Sequence, residues 1–390
     1  MATMSEVSSD SLKEAVQRIA PVIEAHREQA EQERRLPNEV VAAMRQAGLL
    51  RLWTPKEYGG SEVNLRTFME LGESIARIDS AAGWIFATGG AGTLLTAFVP
   101  PSSAGQIYAT GPDVMLPGSS APVGRAVPVE GGYRLTGRWP LASGCQHGDW
   151  LGVISMVFDG EAPRMDAHGA PDFKSMFLPR QDCEILDTWY SMGMRGTGST
   201  HFAVNDAFVP EDRTFSVFTD QPKVAGALYN LGVLPMFAMT VCSVFPGIAR
   251  AAIDSFVEMA KGKVPTFSQT SLATRPTIHA EIARVEALVQ SARAYLYEVA
   301  DEMMASVEAG NPVSEELEAR RRLACTNVGE SCRQAVERVY ALAGATPIYS
   351  GHELERRLRD IQTVSQHLFA SPVWWEKTGQ FYFGQGLGMP

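Results

Sequence analysis

The chain contains no C-x-x-C pair, no H-E-x-x-H, no Walker sequence and no G-x-S-x-G. Those absences exclude thiol-based zinc knuckles, zincin-type proteolysis, P-loop nucleotide hydrolysis and the nucleophile elbow of α/β-hydrolases. No G-x-G-x-x-G follows a strand-like run, so a Rossmann site for a nicotinamide dinucleotide has no support. Cysteine is scarce. Cys145, Cys183, Cys242, Cys325 and Cys332 are an odd, scattered set that suits neither a disulfide framework nor a metal site, and they read as reduced thiols of a cytoplasmic protein. Basic residues are outnumbered, 34 Lys and Arg against 44 Asp and Glu, for a formal net charge of -10. Such a balance argues against nucleic acid or an anionic membrane as partner. The early Glu6 and Asp10, with no apolar run beside them, are unlike a signal peptide.

What is present is a soluble, globular composition. A chain of 390 residues, 45% hydrophobic and 20% charged, exceeds what one core fills and implies two or three packed modules. Stretch 81–101 carries no charge and meets the length rule for a membrane span. Its glycines at 83, 89, 90 and 92 and the lack of a flanking basic cluster favour a helix buried on all sides.

Three regimes follow one another. Leu12, Ala15, Val16, Ile19 and Ile23, then Val40, Val41, Met44 and Leu49, recur at helical spacing. Ser9 and Asp10 suit a first N-cap and Gly48 a C-terminal stop, and 65–77 and 81–98 read as further helices. From about 115 to 215 short alternating runs such as 151–157 lie between Gly, Pro and Asp, the pattern of a small β-barrel or sandwich. Glu130-Gly131-Gly132-Tyr133 reads as a hairpin turn. Long Ala-rich helices return at 243–261, 279–309 and 314–343 and suit a four-helix bundle. Ser314 suits the cap of the last, and Glu316–Arg320 and Glu318–Arg322 are i,i+4 pairs on it. Arg320-Arg321-Arg322 reads as a solvated helix face.

Several segments carry a resemblance when taken together and in order. They are Leu36-Pro37, Ala47-Gly48-Leu49, Pro55-Lys56-Glu57-Tyr58-Gly59-Gly60, Tyr133-Arg134-Leu135-Thr136-Gly137-Arg138-Trp139, the run 192–199 (M-G-M-R-G-T-G-S) and Phe208-Val209-Pro210. Over nearly its whole length the chain resembles the acyl-CoA dehydrogenase superfamily. Members that dehydrogenate need a carboxylate base late in the chain, yet the matching segment 359–367 reads R-D-I-Q-T-V-S-Q-H. This ending, with W-P-L-A-S-G-C-Q-H-G-D-W at 139–150, resembles the two-component flavin monooxygenases built on the same fold.

The resemblance implies an α+β, acyl-CoA dehydrogenase-like fold. A helical domain at 1–112, a β-barrel domain at 113–220 and a four-helix bundle at 221–390 would assemble as a homotetramer. It implies oxygenation of a small aromatic or indolic substrate by reduced flavin (FAD or FMN) and O2 through a C4a-hydroperoxide. A separate NAD(P)H-dependent flavin reductase would supply the reduced flavin. N- or S-oxygenation of an amine, amino sugar or thioether uses the same fold, and a dehydrogenase with its base moved to Glu330 or Glu376 is the rival reading. By motif position Ser143 would meet flavin N5, Trp139 would flank the ring and Ser119 would touch it. Gly144, Arg195 and Gln366 join this cofactor set. Gly344 and Thr346 would approach a neighbouring subunit's flavin. His367 would hydrogen-bond the bound oxygens or exchange protons with them, and His147 reads as structural. No residue is assigned to a metal.

Overall fold

The structure, a computed structural model, describes residues 8–166 and 169–388. Helices come first: α1 (Ser9–Ala25), α2 (Arg27–Glu33), α3 (Asn38–Gln46), α4 (Leu65–Ile78), α5 (Ser80–Ile85) and α6 (Pro101–Ile107). Strands follow among the described residues: β1 (Gly118–Val129), β2 (Gly132–Ala142), β3 (Trp150–Asp159), β4 (Ala162–Pro163), β5 (Phe173–Pro179), β6 (Glu184–Leu186), β7 (Thr200–Pro210) and β8 (Thr214–Phe215). Helices return as α7 (Val233–Cys242), α8 (Val244–Gly262), α9 (Pro276–Glu308), α10 (Glu315–Leu342), α11 (Glu353–Val364) and α12 (Val373–Tyr382).

Local signals place most boundaries. The five apolar residues expected to line α1 are the ones it buries. Its cap is Ser8, just before the expected pair, with Ser8 Oγ accepting from Ser11 N. Gly48 (φ +71) stops α3, its N–H reaching Arg45 O while Leu49 N reaches Met44 O. Ser314 Oγ accepts from Leu317 N and caps α10. Stretch 81–98 is not one α-helix. After α5 it loosens into a π turn at Phe86–Gly90 and tightens into a 3-10 run at Ala91–Phe98. Ser80–Phe98 and Val233–Gly262 are both long and apolar enough to cross a membrane, and both are 89% buried, as the core helices of a globular protein are.

The packing divides the chain into two compact units. One comprises Met1–Asn64, Ile85–Tyr190 and Arg195–Phe237, the other Leu65–Trp84, Ser191–Met194 and Ala238–Pro390. These units cut across the three compositional regimes. The clearest case is α4, which lies in the N-terminal regime by sequence and packs on α8 and α9. It buries Leu65, Phe68, Met69, Leu71, Gly72, Ile75 and Ala76 on one stripe. Gly247 of α8 lets the helices touch, since a Cβ there would lie 2.3 Å from Glu73 O.

In the first unit the strands form one sheet ordered β6-β7-β2-β1-β3-β5-β8, with β4 pairing β3. Among the described residues only β1 and β3 pair in parallel. The hairpin turn falls at Glu130-Gly131, with Val129 paired to Gly132. Trp139 stacks on Phe202 at 5.5 Å and donates from Nε1 to Ile154 O at 2.9 Å. Gly124 makes the space, because a Cβ there would be 2.1 Å from the indole.

In the second unit α8, α9, α10 and α11 form the bundle, with α4 and α12 against it. The expected solvated arginine face is not found. Arg321 and Arg322 are 5% and 4% exposed and share Glu318 at 2.6 and 3.0 Å. Arg320 turns to Glu302 and Glu298 of α9 rather than to Glu316. Two positive charges inside a helical bundle persist because a carboxylate and further acceptors surround them.

Arg357 of α11 is more deeply set, at 1% exposure. Its Nε donates to Glu353 at 2.7 Å and Nη1 donates to Ala76 O and Ser80 Oγ at 2.9 and 2.8 Å. Its Nη2 donates to Arg77 O and Ile78 O at 2.9 and 2.8 Å. All five guanidinium hydrogens are used, three of them on the open carbonyls that end α4. Arg357→Lys keeps the charge but not the planar fork, so it should destabilise the protein by about 3 kcal/mol or more. Guanidinium unfolding monitored by far-UV CD measures the loss.

Candidate functional site

Strand β2 ends irregularly. Its register with β7 shifts between Trp139 and Ala142, and Leu141 there adopts φ +58 with its side chain 65% exposed. An apolar, non-glycine residue in that conformation is strained, and such strain collects at functional sites. Ser119 Oγ fastens the irregular end by donating to Pro140 O at 2.6 Å. The chain then folds back on itself, Ser143 N donating to Leu141 O at 3.1 Å. Gly144 follows at φ +73, and its N–H bonds Thr197 O at 2.9 Å.

That bond joins the turn to the Arg195–Thr197 helical turn and aligns three buried hydroxyls. Ser143 Oγ is 2.7 Å from Ser199 Oγ, which is 2.6 Å from Thr197 Oγ1. Thr197 and Ser199 were legible only as members of the M-G-M-R-G-T-G-S run at 192–199. Leu141 gave no signal, because propensity does not foresee a positive φ at leucine.

Some candidates take other places. Trp139 is fully buried in the sheet core, so it packs the sheet and does not offer a face to a bound ring. Ser119 has its proton on Pro140 O and positions the β2 end. Arg195 lies 3.8 Å from Glu31, an anchor between its turn and α2. His147 belongs to the turn after Gly144, and burial holds its pKa below the usual imidazole value.

In the second unit α11 organises a separate group. Asp360, three residues after Arg357, is 4% exposed and accepts from Met194 N at 2.6 Å. Met194 is in the left-handed region at φ +54, so the carboxylate holds a strained residue. Burial raises the Asp360 pKa to about 6, against the pull of the Met194 N–H and the Arg357 charge. His367 stands past the end of α11 rather than on it, its Nδ1 accepting from Phe369 N at 3.4 Å. That bond makes Nε2 the protonated nitrogen, and Nε2 has no hydrogen-bond partner among the described residues. Trp84 meets the imidazole edge-on at 5.3 Å. One face of His367 stays partly accessible, yet burial lowers its pKa to about 4. It is therefore a neutral donor at pH 7, not a proton exchanger.

Gln366 is exposed and reaches back to Gln362 O at 3.5 Å. Gly344 (φ +61) ends α10, where Lys263 donates to both Ala343 O and Thr346 Oγ1. Glu330 and Glu376 are exposed, and Glu330 accepts from Trp375 Nε1 at 3.3 Å. Neither is a desolvated carboxylate of the kind a relocated base requires.

Asp360 gives this group a pH signature. Its folded pKa of about 6 exceeds the unfolded value of about 4, so between the two the folded protein keeps a proton that the unfolded chain has released. The favourable contribution is complete below the unfolded pKa and is lost as pH rises through the folded one. Asp360→Asn removes this dependence. Its stability relative to the parent should rise by about 3 kcal/mol from about pH 4 to about pH 7.5, measured by denaturant unfolding at fixed ionic strength. A difference independent of pH would show that the carboxyl is unshifted.

Known proteins with related chains agree with one another. Residues 8–99 match the family model of the acyl-CoA dehydrogenase N-terminal domain, and residues 239–372 that of the acyl-CoA dehydrogenase C-terminal domain. The chain is 32% identical over 356 residues to an indole-3-acetate monooxygenase of Pseudomonas putida, covering 91% of this chain and 89% of that protein. Among solved structures it is similar to XiaF from Streptomyces sp. in complex with FADH2 and glycerol, with TM-score 0.90 and 27% identity over 98% of this chain and 97% of that one. It is also similar to the HsaA monooxygenase from M. tuberculosis, with TM-score 0.91 and 26% identity over 98% and 99% of the two chains.

Proposed function

We propose that this chain, which belongs to the acyl-CoA dehydrogenase family and within it to the flavin-dependent monooxygenases, oxygenates a small aromatic or indolic compound. It is the oxygenase component, and it uses reduced flavin and O2. The observation that carries the reading is His367, a neutral Nε2–H donor in the segment where the dehydrogenases place a carboxylate base. A donor there suits chemistry in which negative charge develops on oxygen, and not removal of a carbon-bound proton.

The residues present fit a flavin, FAD or FMN. Leu141 offers an exposed apolar surface beside the buried Ser143 hydroxyl, and an isoalloxazine is a flat apolar ring with a hydrogen-bonding edge. When bound, reduced flavin supplies the electrons that activate O2, so that one oxygen atom enters the substrate and the other leaves as water. Ser143 orients the ring edge and Gly144 keeps the turn in place. His367 donates from Nε2 to a reacting oxygen, and Trp84 keeps water from its imidazole edge. Arg195, Ser119 and Trp139 hold the turns and the strand around Ser143, while Gly344 and Thr346 would approach the flavin of a neighbouring subunit and the exposed Gln366 would contact the cofactor.

A homotetramer belongs to the proposal. Support comes from Ile348 and Tyr349 beyond α10, 60% and 73% exposed, and from Tyr382 and Phe383 at the end of α12, 61% and 85% exposed. Apolar side chains so exposed suit an interface. A cytoplasmic setting suits the five free, buried cysteines. The absence of a Rossmann fingerprint supports dependence on a separate NAD(P)H-dependent reductase.

Two outcomes are expected. NADH alone should not reduce flavin bound to the purified protein, and adding an unrelated flavin reductase should start turnover. Rapid reduction by NADH in the single protein would refute the two-component assignment. Loss of a hydrogen bond to a charged or developing anionic oxygen costs ~1.5–3 kcal/mol. His367→Ala should therefore lower product formation roughly 10–150-fold while flavin oxidation continues and hydrogen peroxide rises. The product-to-peroxide ratio, read beside the melting temperature, separates this from a packing role, which would lower stability and leave the ratio unchanged.

A further inference from the structure

The chain leaves the sheet unit after Tyr190, packs with the helical unit over Ser191–Met194 and returns at Arg195. Helix α11 grips this short excursion at each of its last three residues. Arg359 Nη1 donates to Met192 O at 2.8 Å. Gly193 lies so close to the helix that a Cβ there would be 2.1 Å from Arg359 O. Met194 N donates to Asp360 Oδ1 at 2.6 Å. The grip is braced on both sides. Arg359 Nε and Nη2 donate to Glu355 one turn back on α11, and Ser191 Oγ donates to Gly193 O at 2.7 Å. Met194 has φ +54 and is 3% exposed. A non-glycine residue keeps left-handed backbone only where its surroundings over-determine it, and the Asp360 carboxylate does so here. A buried carboxylate is a costly way to fill space, but an apolar side chain could not accept the Met194 N–H.

Met194 sets the direction in which the chain returns. Arg195 opens the Arg195–Thr197 helical turn, and Thr197 O accepts from Gly144 N at 2.9 Å. Only Arg195 and Gly196 separate the strained residue from the carbonyl that pins the turn carrying Ser143. A stretch so short, wound as a helical turn, passes a displacement at one end to the other. We propose that Asp360 is a positioning residue for the oxygenase: with Arg359 and Gly193 it latches Met194, and through the Arg195–Thr197 turn it sets Ser143 for the flavin. The proposal rests on the reading that Ser143 orients the flavin ring. In this role Asp360 touches neither flavin nor substrate.

The test measures the affinity of the full-length protein for FMN and FAD, oxidised and anaerobically photoreduced, by quenching of protein fluorescence. The melting temperature of each variant is read beside it. Asp360→Ala removes the acceptor for Met194 N, and flavin affinity should fall roughly tenfold, the low end for a lost hydrogen bond to a charged group. Gly193→Ala pushes the segment off Arg359 O with Asp360 intact and should weaken flavin binding to a similar extent. Asp360→Asn keeps an oxygen acceptor and should hold the parent affinity. Arg359→Met removes the bond to Met192 O alone and should weaken flavin roughly two- to threefold; it carries the comparison if Asp360→Ala does not fold. Arg357→Lys, which disturbs the same helix without touching the excursion, should lower the melting temperature and leave flavin affinity unchanged. In a Ser143→Ala background Asp360→Ala should cost less than in the parent, because the residue it positions is gone. If the parent binds neither flavin in either redox state, the flavin reading fails and takes the proposal with it. If the parent binds flavin and the Asp360→Ala, Gly193→Ala and Arg359→Met variants bind it equally well, the latch is structural and the proposal alone fails. Full additivity with Ser143→Ala, or a loss of affinity in Arg357→Lys that matches its loss of stability, overturns it as well.

Discussion

Arg357 fixes the helical unit from inside. Burying a guanidinium costs several kcal/mol, and only full use of its donors offsets that cost. Here the five hydrogens meet Glu353, Ser80 and the last three carbonyls of α4. The end of α4 is thereby closed by a side chain 279 or more residues away in sequence. Asp79 Oδ1 then accepts from Ala82 N at 2.9 Å and opens α5. One turn along α11, Asp360 holds Met194, and beyond the helix end comes His367 against Trp84. A single amphipathic helix thus sets two strained or open backbone segments.

In the sheet unit the equivalent constraint is steric. Trp139 fills the core between Phe202 and the Ile154 carbonyl, and just past it the register of β2 with β7 shifts. The strain appears at Leu141, and the turn it produces delivers Ser143 and Gly144 beside Thr197. Residues that look functional in the motif therefore divide their tasks. The large aromatic packs the sheet core, while the small hydroxyl residues line up in the turn that follows it.

The same fold supports dehydrogenation and oxygenation because function lies in a few side chains placed on it. Desolvation sets the charge state of His367. It suppresses the imidazolium and the Phe369 N–H fixes the tautomer, which leaves a neutral donor where another branch of the family places an anionic base. Glu330 and Glu376 stay exposed to water.

Helical periodicity, Gly48, Ser314 and the Gly131 turn were enough to find the long helices and the hairpin, because those signals act within a few residues of chain. The W-P-x-x-S-G and R-D…Q-H segments, read as a resemblance, sufficed for the family and for Ser143 and His367 as candidates. Sequence could not say that α4 belongs with α8 and α9, since an apolar stripe does not name its cover. It also misread Arg321 and Arg322 as solvated, because charge alone does not reveal the carboxylate that permits burial. The left-handed Leu141, the line of hydroxyls from Ser143 to Thr197 and the neutral state of His367 were decided only in three dimensions. Each arises from atoms brought together across long separations of chain, where packing and desolvation, and not local propensity, set the energy.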